Sequence, residues 1–587
     1  MPRDPRHEVE CYTLRDESDT GHPGGCQAGT VTELLVVMVA ALMVIAGAKE
    51  AGPRLGIAAP LVLVAMGVAA SFLPMFGSVD IEPEWILEGV LPPLLYSSAV
   101  SMPTMNFRRE FGAISGLSVL LVVGSALLLG VFFMLVVPEI GFAWGVALGA
   151  IVSPTDAVAT SIIKQMPVSK RVVALLDGES LLNDATALVM LRAAIVATSV
   201  AFSFWGALGS FAYSVVVALV VGGFVGWLNL VVRKRVTDPT VNTVISFAVP
   251  FAASVPAGLL GASGLVAAVV AGLVTGIRAP RDLSPQNRLS DSQNWRTVEL
   301  VLEGAVFLTM GVQIKPIVTT VEQDHSGVLS AVLVAVVAFV LTVLVRAAYV
   351  VPLLAVLVSR ARHGLTMQRQ LREMQDRMST PEGKQETFAQ MNRRNREASE
   401  RELNFFTSRI RQGLANIDYF VREPLGWREG VAVVWAGMRG AVTVAAAQTL
   451  PEDTPQRSTL VLIAYAVAAI SLVVQGGTIG PLLRLITPKA DPVAAEEQAH
   501  AEWNRIMELM RTSGETLEHP PPATTAPTAE GFRAAKEYRL AILAAQRSVL
   551  LDARDHGTFD ADLLANALAN LDASQIALEM RGKFTDG

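Results

Sequence analysis

Charged residues are scarce in this sequence. Asp, Glu, Lys and Arg make up 17% of the 587 residues, whereas 52% are hydrophobic; a soluble globular chain has about 25% charged residues. The hydrophobic residues stand in unbroken blocks of roughly 18 to 30 residues, long enough to cross about 30 Å of hydrocarbon as helices. The composition excludes an ordinary soluble protein and predicts an all-α polytopic membrane protein.

Cysteine is also rare, with Cys11 and Cys26 both in the polar amino-terminal stretch. They form a disulfide or stay free, and they exclude zinc and thiol chemistry in the membrane body, where we expect no cofactor or resident metal. No basic stripe with interleaved aromatic residues is present, which excludes nucleic acid as a partner. Residues 1–30 lack the features of a signal peptide. We interpret them as a polar leader outside the cell.

Hydrophobic blocks between polar breaks predict about thirteen membrane spans. They lie near residues 31–48, 56–74, 84–101, 112–137, 142–164, 172–199, 203–232, 240–258, 261–277, 297–314, 327–358, 428–450 and 457–486. Alternate loops differ sharply in positive charge. One set carries Lys49, Arg54, Arg108, Arg109, Lys164, Lys170, Arg171, Arg233, Lys234, Arg235, Arg278, Arg281, Arg288 and Arg296, and the other carries Lys315 and Arg457. Because loop cations favour the cytoplasm, the amino terminus is expected outside and the carboxyl terminus inside.

Two charged pieces interrupt or follow the predicted membrane body, which runs from 31 to 486. An insertion at 359–427 and a tail at 487–587 both fall on the cytoplasmic side. After a proline-rich linker, the tail has leucines at helical spacing, at positions 540, 543, 550 and 551. We interpret it as a helical hairpin or dimerising element, with an ion or pH sensor as the alternative.

Three spans contain charges that a bilayer centre strongly disfavours. Asp156 follows Pro154 in the fifth span, Asp184 lies in the sixth, and Arg439 stands between glycines in the twelfth. Proline and glycine favour interruptions there, and spans five and twelve are seven apart, as two six-span inverted repeats around a linking span require. The sequence therefore predicts inverted repeats with two interrupted helices that cross.

The sixth span carries polar residues at helical spacing. Ser180 and Asp184 share one face and can offer oxygens to a small cation, while Glu179 and Asn183 share the adjacent face. Glu179 and Arg439 have opposite charges in spans that otherwise leave them unpaired. We expect these two to form a structural ion pair.

Thr155 and Asp156 stand at the break in the fifth span. Thr155 and the carbonyl groups freed by the break can join a cation site. For Asp156 two roles are open, namely a helix cap and a contact with the ion. Other charges within or near spans are interpreted as snorkelling or locally paired side chains; they are Glu88, Glu299, Glu303 and Arg346.

Several motifs together resemble those of monovalent cation:proton antiporters of the Na+/H+ exchanger family. They are LPPLL at 91–95, SPTD at 153–156, GESLLND at 178–184, GMRG at 437–440 and VQG at 474–476. The resemblance covers roughly residues 31–486. It implies thirteen helices, a homodimer, and a core domain that moves against a dimerisation domain. It also makes Glu179 and Arg439 the family's ion pair and Asp156 a helix-break residue.

The resemblance further implies the ion site. Asp184 would bind cation or proton, Asn183 would stabilise it, and Thr155 and Ser180 would be auxiliary ligands. Family members with asparagine before the key acid resemble electroneutral one-for-one exchangers. Asn183 therefore implies that stoichiometry. Many family members have a carboxylate four residues after the Pro-Pro pair, where this sequence has Ser97. A ligand is therefore expected to be lost at that position.

The sequence thus predicts a secondary transporter of the plasma membrane, not an enzyme, that serves pH homeostasis. Asp184 would hold either H+ or a monovalent cation, Na+ foremost and K+ or Li+ as alternatives, and alternating access would exchange them. A proton-coupled solute symporter and a cation channel are the alternatives. An intramembrane serine protease, suggested by GASG at 261–264, is disfavoured because all seven histidines lie outside the predicted spans.

Overall fold

The computed structural model describes residues 25–55, 58–73, 82–137, 139–156, 158–164, 166, 168–199, 204–324, 327–378, 380, 383, 400–486, 492–515, 517 and 529–581. Most of the leader, with Cys11, lies outside the described residues, as do the middle of the insertion and the linker of the tail. Every regular element in the described part of the chain is a helix. The predicted all-α class is confirmed.

The α-helices follow one another with short connections. They are α1 (Gly25–Leu55), α2 (Ala59–Ser71), α3 (Leu91–Ser101), α4 (Thr104–Ser115), α5 (Val122–Val136), α6 (Phe142–Val152), α7 (Val158–Ile163), α8 (Lys170–Ser199), α9 (Phe204–Arg233), α10 (Pro239–Leu259), α11 (Gly264–Asp282), α12 (Pro285–Val312), α13 (Ile314–Gln323), α14 (Val328–Arg377), α15 (Glu400–Arg422), α16 (Trp427–Trp435), α17 (Ala441–Gln448), α18 (Arg457–Ser471), α19 (Gly477–Ile486), α20 (Pro492–Glu515), α21 (Ala529–His556) and α22 (Ala561–Met580). Short π-helical stretches precede α3, join α4 to α5, and join α18 to α19.

Nine stretches of the described helices are long and apolar enough to cross a membrane. The other predicted spans are short or broken: α2 has 13 residues and α3 has 11, and the fifth and twelfth spans are each divided in two. The polytopic helical fold is confirmed, while the count of thirteen spans stays a prediction.

The helix of the eleventh predicted span continues well beyond that span. α14 is 50 residues long and runs without a break into the insertion. α15 returns along it, with Met378, Ile410 and Leu414 buried between the two helices. Gln368 Nε2 also donates to Asp418 Oδ1 at 2.6 Å. The described part of the insertion is therefore a helical hairpin.

Two helices are interrupted in the middle of the body. α6 and α7 form the first, and α16 and α17 form the second. Pro154 stands in the first gap, where its missing N–H would break a helical ladder. The two gaps touch, because the Asp156 amide donates to the Met438 carbonyl oxygen at 2.7 Å. The predicted crossing of two interrupted helices is confirmed.

Most of the membrane helices pack as two groups. We call α4–α8, α14 and α16–α19 the core bundle, which surrounds the crossing. These helices share one large buried cluster, to which α1, α2, α12 and α13 also contribute. We call α3 and α9–α12 the scaffold bundle, with its own cluster around Tyr96, Ala253 and Trp295. Small residues bring its helices close: a Cβ atom at Gly226 would lie 2.9 Å from the Ala271 carbonyl oxygen.

The described part of the tail is a separate packed unit. α20, α21 and α22 form a tail bundle with three helices rather than the two of a hairpin. Ile506, Leu550, Leu564 and Leu571 are buried at its centre. Apolar side chains at helical spacing thus build a small core of their own beside the membrane body.

Candidate ion-binding site

A cavity of about 250 Å³ lies between the core and scaffold bundles. Its wall includes Thr155, Asp156, Ser180, Asp184, Glu299 and Glu303. At its mouth the Lys164 side chain, 53% exposed, pairs with Asp177 at 3.0 Å. Asp184 lies about two helical turns further along α8 than Asp177. The cavity therefore leads from the surface to Asp184.

α8 presents two polar faces, as its spacing predicts. Ser180 and Asp184 line the cavity, whereas Glu179 and Asn183 are 1% and 0% exposed inside the core bundle. The Ser180 hydroxyl donates to the Asp177 carbonyl at 3.1 Å, and its lone pairs can still accept or ligate. Among the described residues, no group forms a hydrogen bond or ion pair with the Asp184 carboxylate. Asp184 is thus the acid that an ion entering this cavity would meet.

Asn183 holds the break of the first interrupted helix against α8. Its Nδ2 donates to the Thr155 hydroxyl oxygen at 2.6 Å and to the Thr155 carbonyl oxygen at 3.1 Å. The Thr155 hydroxyl in turn donates to Glu179 Oε1 at 3.2 Å. Both oxygens of Thr155 already accept from Asn183, so that a contact between Thr155 and an ion stays a prediction.

The expected ion pair between Glu179 and Arg439 is wrong. Glu179 pairs with Arg346 of α14 through both carboxylate oxygens, and the Nη2 to Oε2 distance is 2.7 Å. Arg346 is 2% exposed and also donates from Nε to the Val433 carbonyl at 2.9 Å. From the sequence alone, Arg346 is interpreted as a snorkelling or locally paired side chain. Its place in a long apolar helix without a neighbouring acid was the signal for a partner on another helix.

Arg439 has helix carbonyls as partners instead of a carboxylate. Its Nε donates to the Val152 carbonyl at 2.9 Å and its Nη1 to the Gly437 carbonyl, so its charge lies at the carboxyl ends of α6 and α16. A helix carries about half a negative charge at that end. The guanidinium therefore offsets two half-helix dipoles, which is why it needs no acid.

Asp156 has the opposite role at the same crossing. Its Oδ1 accepts from the Val158 amide at 3.2 Å, at the amino end of α7. A Cβ atom at Gly440, which caps α17, would overlap with the Asp156 carboxylate. The positive ends of two half-helices thus face one acid. Of the two roles open for Asp156, the structure shows the helix cap; contact with an ion stays a prediction.

Two acids that sequence analysis set aside also line the cavity. Glu299 and Glu303 lie one turn apart on α12. The Ser97 hydroxyl donates to Glu299 Oε2 at 3.4 Å. Where α3 lacks a carboxylate, α12 therefore supplies one beside it. The spacing of four residues between two acids in an apolar helix was the available signal.

Ser263 of the GASG sequence caps a helix. Its hydroxyl accepts from the Val266 amide at 3.4 Å at the start of α11. The histidines in the described part of the chain, His363, His500 and His556, lie in the extension of α14 and in the tail. A nucleophilic serine needs a neighbouring base. The described geometry gives Ser263 a structural role only.

Membrane helices that surround two broken, crossing helices at a buried acid define the class of secondary transporters. The family model described as sodium/hydrogen exchanger, transmembrane, matches residues 37–374 and 405–485. These ranges include both broken helices and the whole cavity. The chain therefore belongs to the sodium/hydrogen exchanger family, a family of transporters.

Two curated relatives and a solved structure agree with this family assignment. The uncharacterized Na(+)/H(+) exchanger YjcE of Escherichia coli is 34% identical over 44% of this chain and 49% of its own length. The sodium, potassium, lithium and rubidium/H(+) antiporter of Bacillus subtilis is 29% identical over 45% of this chain and 41% of its own length. The match thus spans half or less of each relative. The sodium proton antiporter MjNhaP1 of Methanocaldococcus jannaschii shares the fold, with a TM-score of 0.52 at 14% identity over 77% of this chain and 99% of that one.

Proposed function

We propose that this protein exchanges a monovalent cation for H+ across the cell membrane. The observation that carries the proposal is the Asp184 carboxylate, which lines the cavity without a protein partner in the described part of the chain. An unpaired acid accepts either H+ or a cation. Two ions that compete for one acid are carried in opposite directions when the acid faces the two sides in turn.

Oxygen atoms around Asp184 suit an alkali cation. The Ser180 hydroxyl lies one turn away on the same helix face, and Thr155 and Asp156 form the adjoining wall. We propose these as ligands or auxiliary ligands, with Asn183 holding the wall in place. Na+ is the foremost cation and K+ and Li+ are alternatives, in line with the cations for which the two relatives are named.

Glu299 and Glu303 add two acids to the cavity wall, and each supplies negative charge when it is ionised. Acids in a cleft raise the local concentration of cations and so assist capture. They replace, in our proposal, the carboxylate that α3 lacks at Ser97. Asn183, rather than a second acid, precedes Asp184, which favours one cation for one proton and an electroneutral exchange.

The position of the cavity between the two bundles supports a mechanism of alternating access. We propose that the core bundle moves against the scaffold bundle, so that Asp184 faces one side and then the other. The tail and insertion lie in the cytoplasm and the amino terminus lies outside, because cationic loops collect on the tail side. We propose a homodimer in the plasma membrane, as the resemblance to the family implies.

Proteoliposomes with an enclosed pH dye test the proposal. Na+, Li+, K+ and choline are added in turn to the wild type, to Asp184→Asn, and to Asp324→Asn, which changes an exposed acid outside the cavity. We expect at least one alkali cation to drive protons in the opposite direction in the wild type and the control. Asp184→Asn should fold and show no exchange.

The same assay distinguishes the alternatives. Proton movement in the direction of the cation would indicate a symporter, and cation flux far above carrier rates would indicate a channel. Cation-driven proton release that persists in folded Asp184→Asn protein would overturn the assignment of Asp184.

A further inference from the structure

The tail bundle lies against the core bundle of the membrane body. Lys170, at the start of α8, pairs with Asp560 and Asp562 at 2.8 and 3.1 Å. Arg109 of α4 donates from Nη2 to the Gly557 carbonyl oxygen at 2.7 Å. Gly557 has a φ of +70°, which favours glycine and forms the turn between α21 and α22. The turn and the start of α22 are thus bound to two helices of the core bundle, α4 and α8.

The same tail bundle is also bound to the scaffold bundle. Arg281, in the last turn of α11, pairs with Asp555. Arg288 of α12 makes a double contact with Asp572, with 2.5 Å from Nη2 to Oδ1 and 3.0 Å from Nε to Oδ2. Each bundle of the membrane body therefore has its own charge contacts with the tail.

These contacts come from one packed unit. Leu550 of α21 and Leu564 of α22 are fully buried against each other's helices in the core of the tail bundle. Asp572 also pairs within the tail with Arg547 at 2.6 Å. Since α21 and α22 cannot separate without exposing this core, a force on one contact is transmitted to the other.

We propose that the docked tail bundle restrains movement of the core bundle against the scaffold bundle and so slows ion exchange. The inference rests on the proposed function, because alternating access is what requires the two bundles to move. A transport cycle must then strain or release some of the charge contacts. The tail acts as a brake whose strength depends on how firmly it is docked.

Salt concentration should control this brake. The Lys170 and Arg281 side chains are 46% and 53% exposed, whereas those of Arg288 and Asp572 are 15% and 17% exposed. The Debye length, beyond which salt screens the interaction of exposed charges, is about 10 Å at 0.1 M salt and about 3 Å at 1 M. Rising ionic strength on the tail side should therefore weaken the two exposed contacts first and speed exchange.

The test uses the full-length protein in proteoliposomes. The double variant Lys170→Gln/Arg281→Gln removes one exposed contact with each bundle. Arg278→Gln is the matched control, since Arg278 is an exposed arginine on the same helix as Arg281. Arg288 is left unchanged because it also donates to the backbone carbonyls of Pro280 and Leu283, at the end of α11 and just after it. Choline chloride sets the ionic strength without adding an alkali cation.

We expect the double variant to exchange Na+ for H+ about threefold faster than the wild type at low ionic strength, with KM for Na+ unchanged. The difference should vanish at about 1 M salt, where the wild type is released too. The backbone amides of α21 and α22 should exchange their hydrogens with solvent faster in the double variant, and at the wild-type rate in the control. Combining Arg281→Asp with Asp555→Arg reverses the charges of the pair, and the combined variant should exchange Na+ for H+ more slowly than either single variant.

Two results would overturn the brake. In one, hydrogen exchange shows a released tail while the rate of ion exchange stays the same or falls. In the other, the protection of α21 and α22 does not change, so that the charge contacts do not hold the tail. Absence of cation-driven proton release in the wild type would instead overturn the proposed function, and hydrogen exchange would still decide whether these contacts dock the tail.

Discussion

Replacement of Arg346 by methionine should destabilise the folded protein strongly. Arg346 and Glu179 are each 2% exposed at the side chain and pair through two contacts, so the change leaves a buried acid without its partner. Removing one member of a buried pair costs about 3–5 kcal/mol. Glu179→Gln should cost a similar amount, because it leaves the guanidinium buried and unpaired.

A double-mutant cycle gives the sharper magnitude. The double variant Glu179→Gln/Arg346→Met lacks both charges. Its loss in free energy of unfolding should therefore be smaller, by about 2 kcal/mol or more, than the sum of the losses in the two single variants. The cycle of Glu179→Gln with Arg439→Met should show a smaller coupling, because the Arg439 side chain donates to the carbonyls of Val152 and Gly437.

Unfolding of the purified variants can be followed through the fluorescence of the eight tryptophans. The exposed Arg278→Met variant is the control and should unfold like the wild type. A larger coupling between Glu179 and Arg439, or an Arg346→Met variant of unchanged stability, would contradict the ion pair between Glu179 and Arg346.

Three further changes test the cavity and the crossing. Glu299→Gln should raise the KM for the cation by about three- to tenfold with little change in kcat, since it removes charge that attracts the ion; an unchanged KM in cation titrations would exclude a role in capture. Gly440→Ala places a Cβ atom onto the Asp156 carboxylate and should sharply lower the yield of monodisperse protein; a normal yield would show that the crossing can relax. Asn183→Leu takes the donor from both Thr155 oxygens and should cost about 1–3 kcal/mol of stability, with slower exchange; wild-type stability and rate would contradict the network.

The features predicted correctly from sequence depend on short-range patterns. Pro154 and the glycines around Arg439 interrupt helices through their own backbone chemistry. The spacing of four residues places Ser180 with Asp184 on one face of α8, and the structure has them together on the cavity wall. Local composition was enough for these.

The features that were missed or wrong depend on contacts between distant segments. Glu179 and Arg346 are 167 residues apart, and a charge pattern alone could not choose between Arg346 and Arg439 as the partner. A guanidinium can be satisfied by backbone carbonyls as well as by an acid, and only the crossing shows which. Glu299 likewise becomes a cavity residue because α12 packs beside Ser97, which no local pattern records.

The length of α14 has a mechanical consequence. From Arg346 to its end at Arg377 the helix runs roughly 45 Å at 1.5 Å per residue. The ion pair with Glu179 ties its inner part to α8, so that α14 tilts when α8 does. A tilt of about 5° near the ion site would displace the far end by on the order of 4 Å. A small rearrangement near Glu179 would thus become a larger displacement of the insertion hairpin.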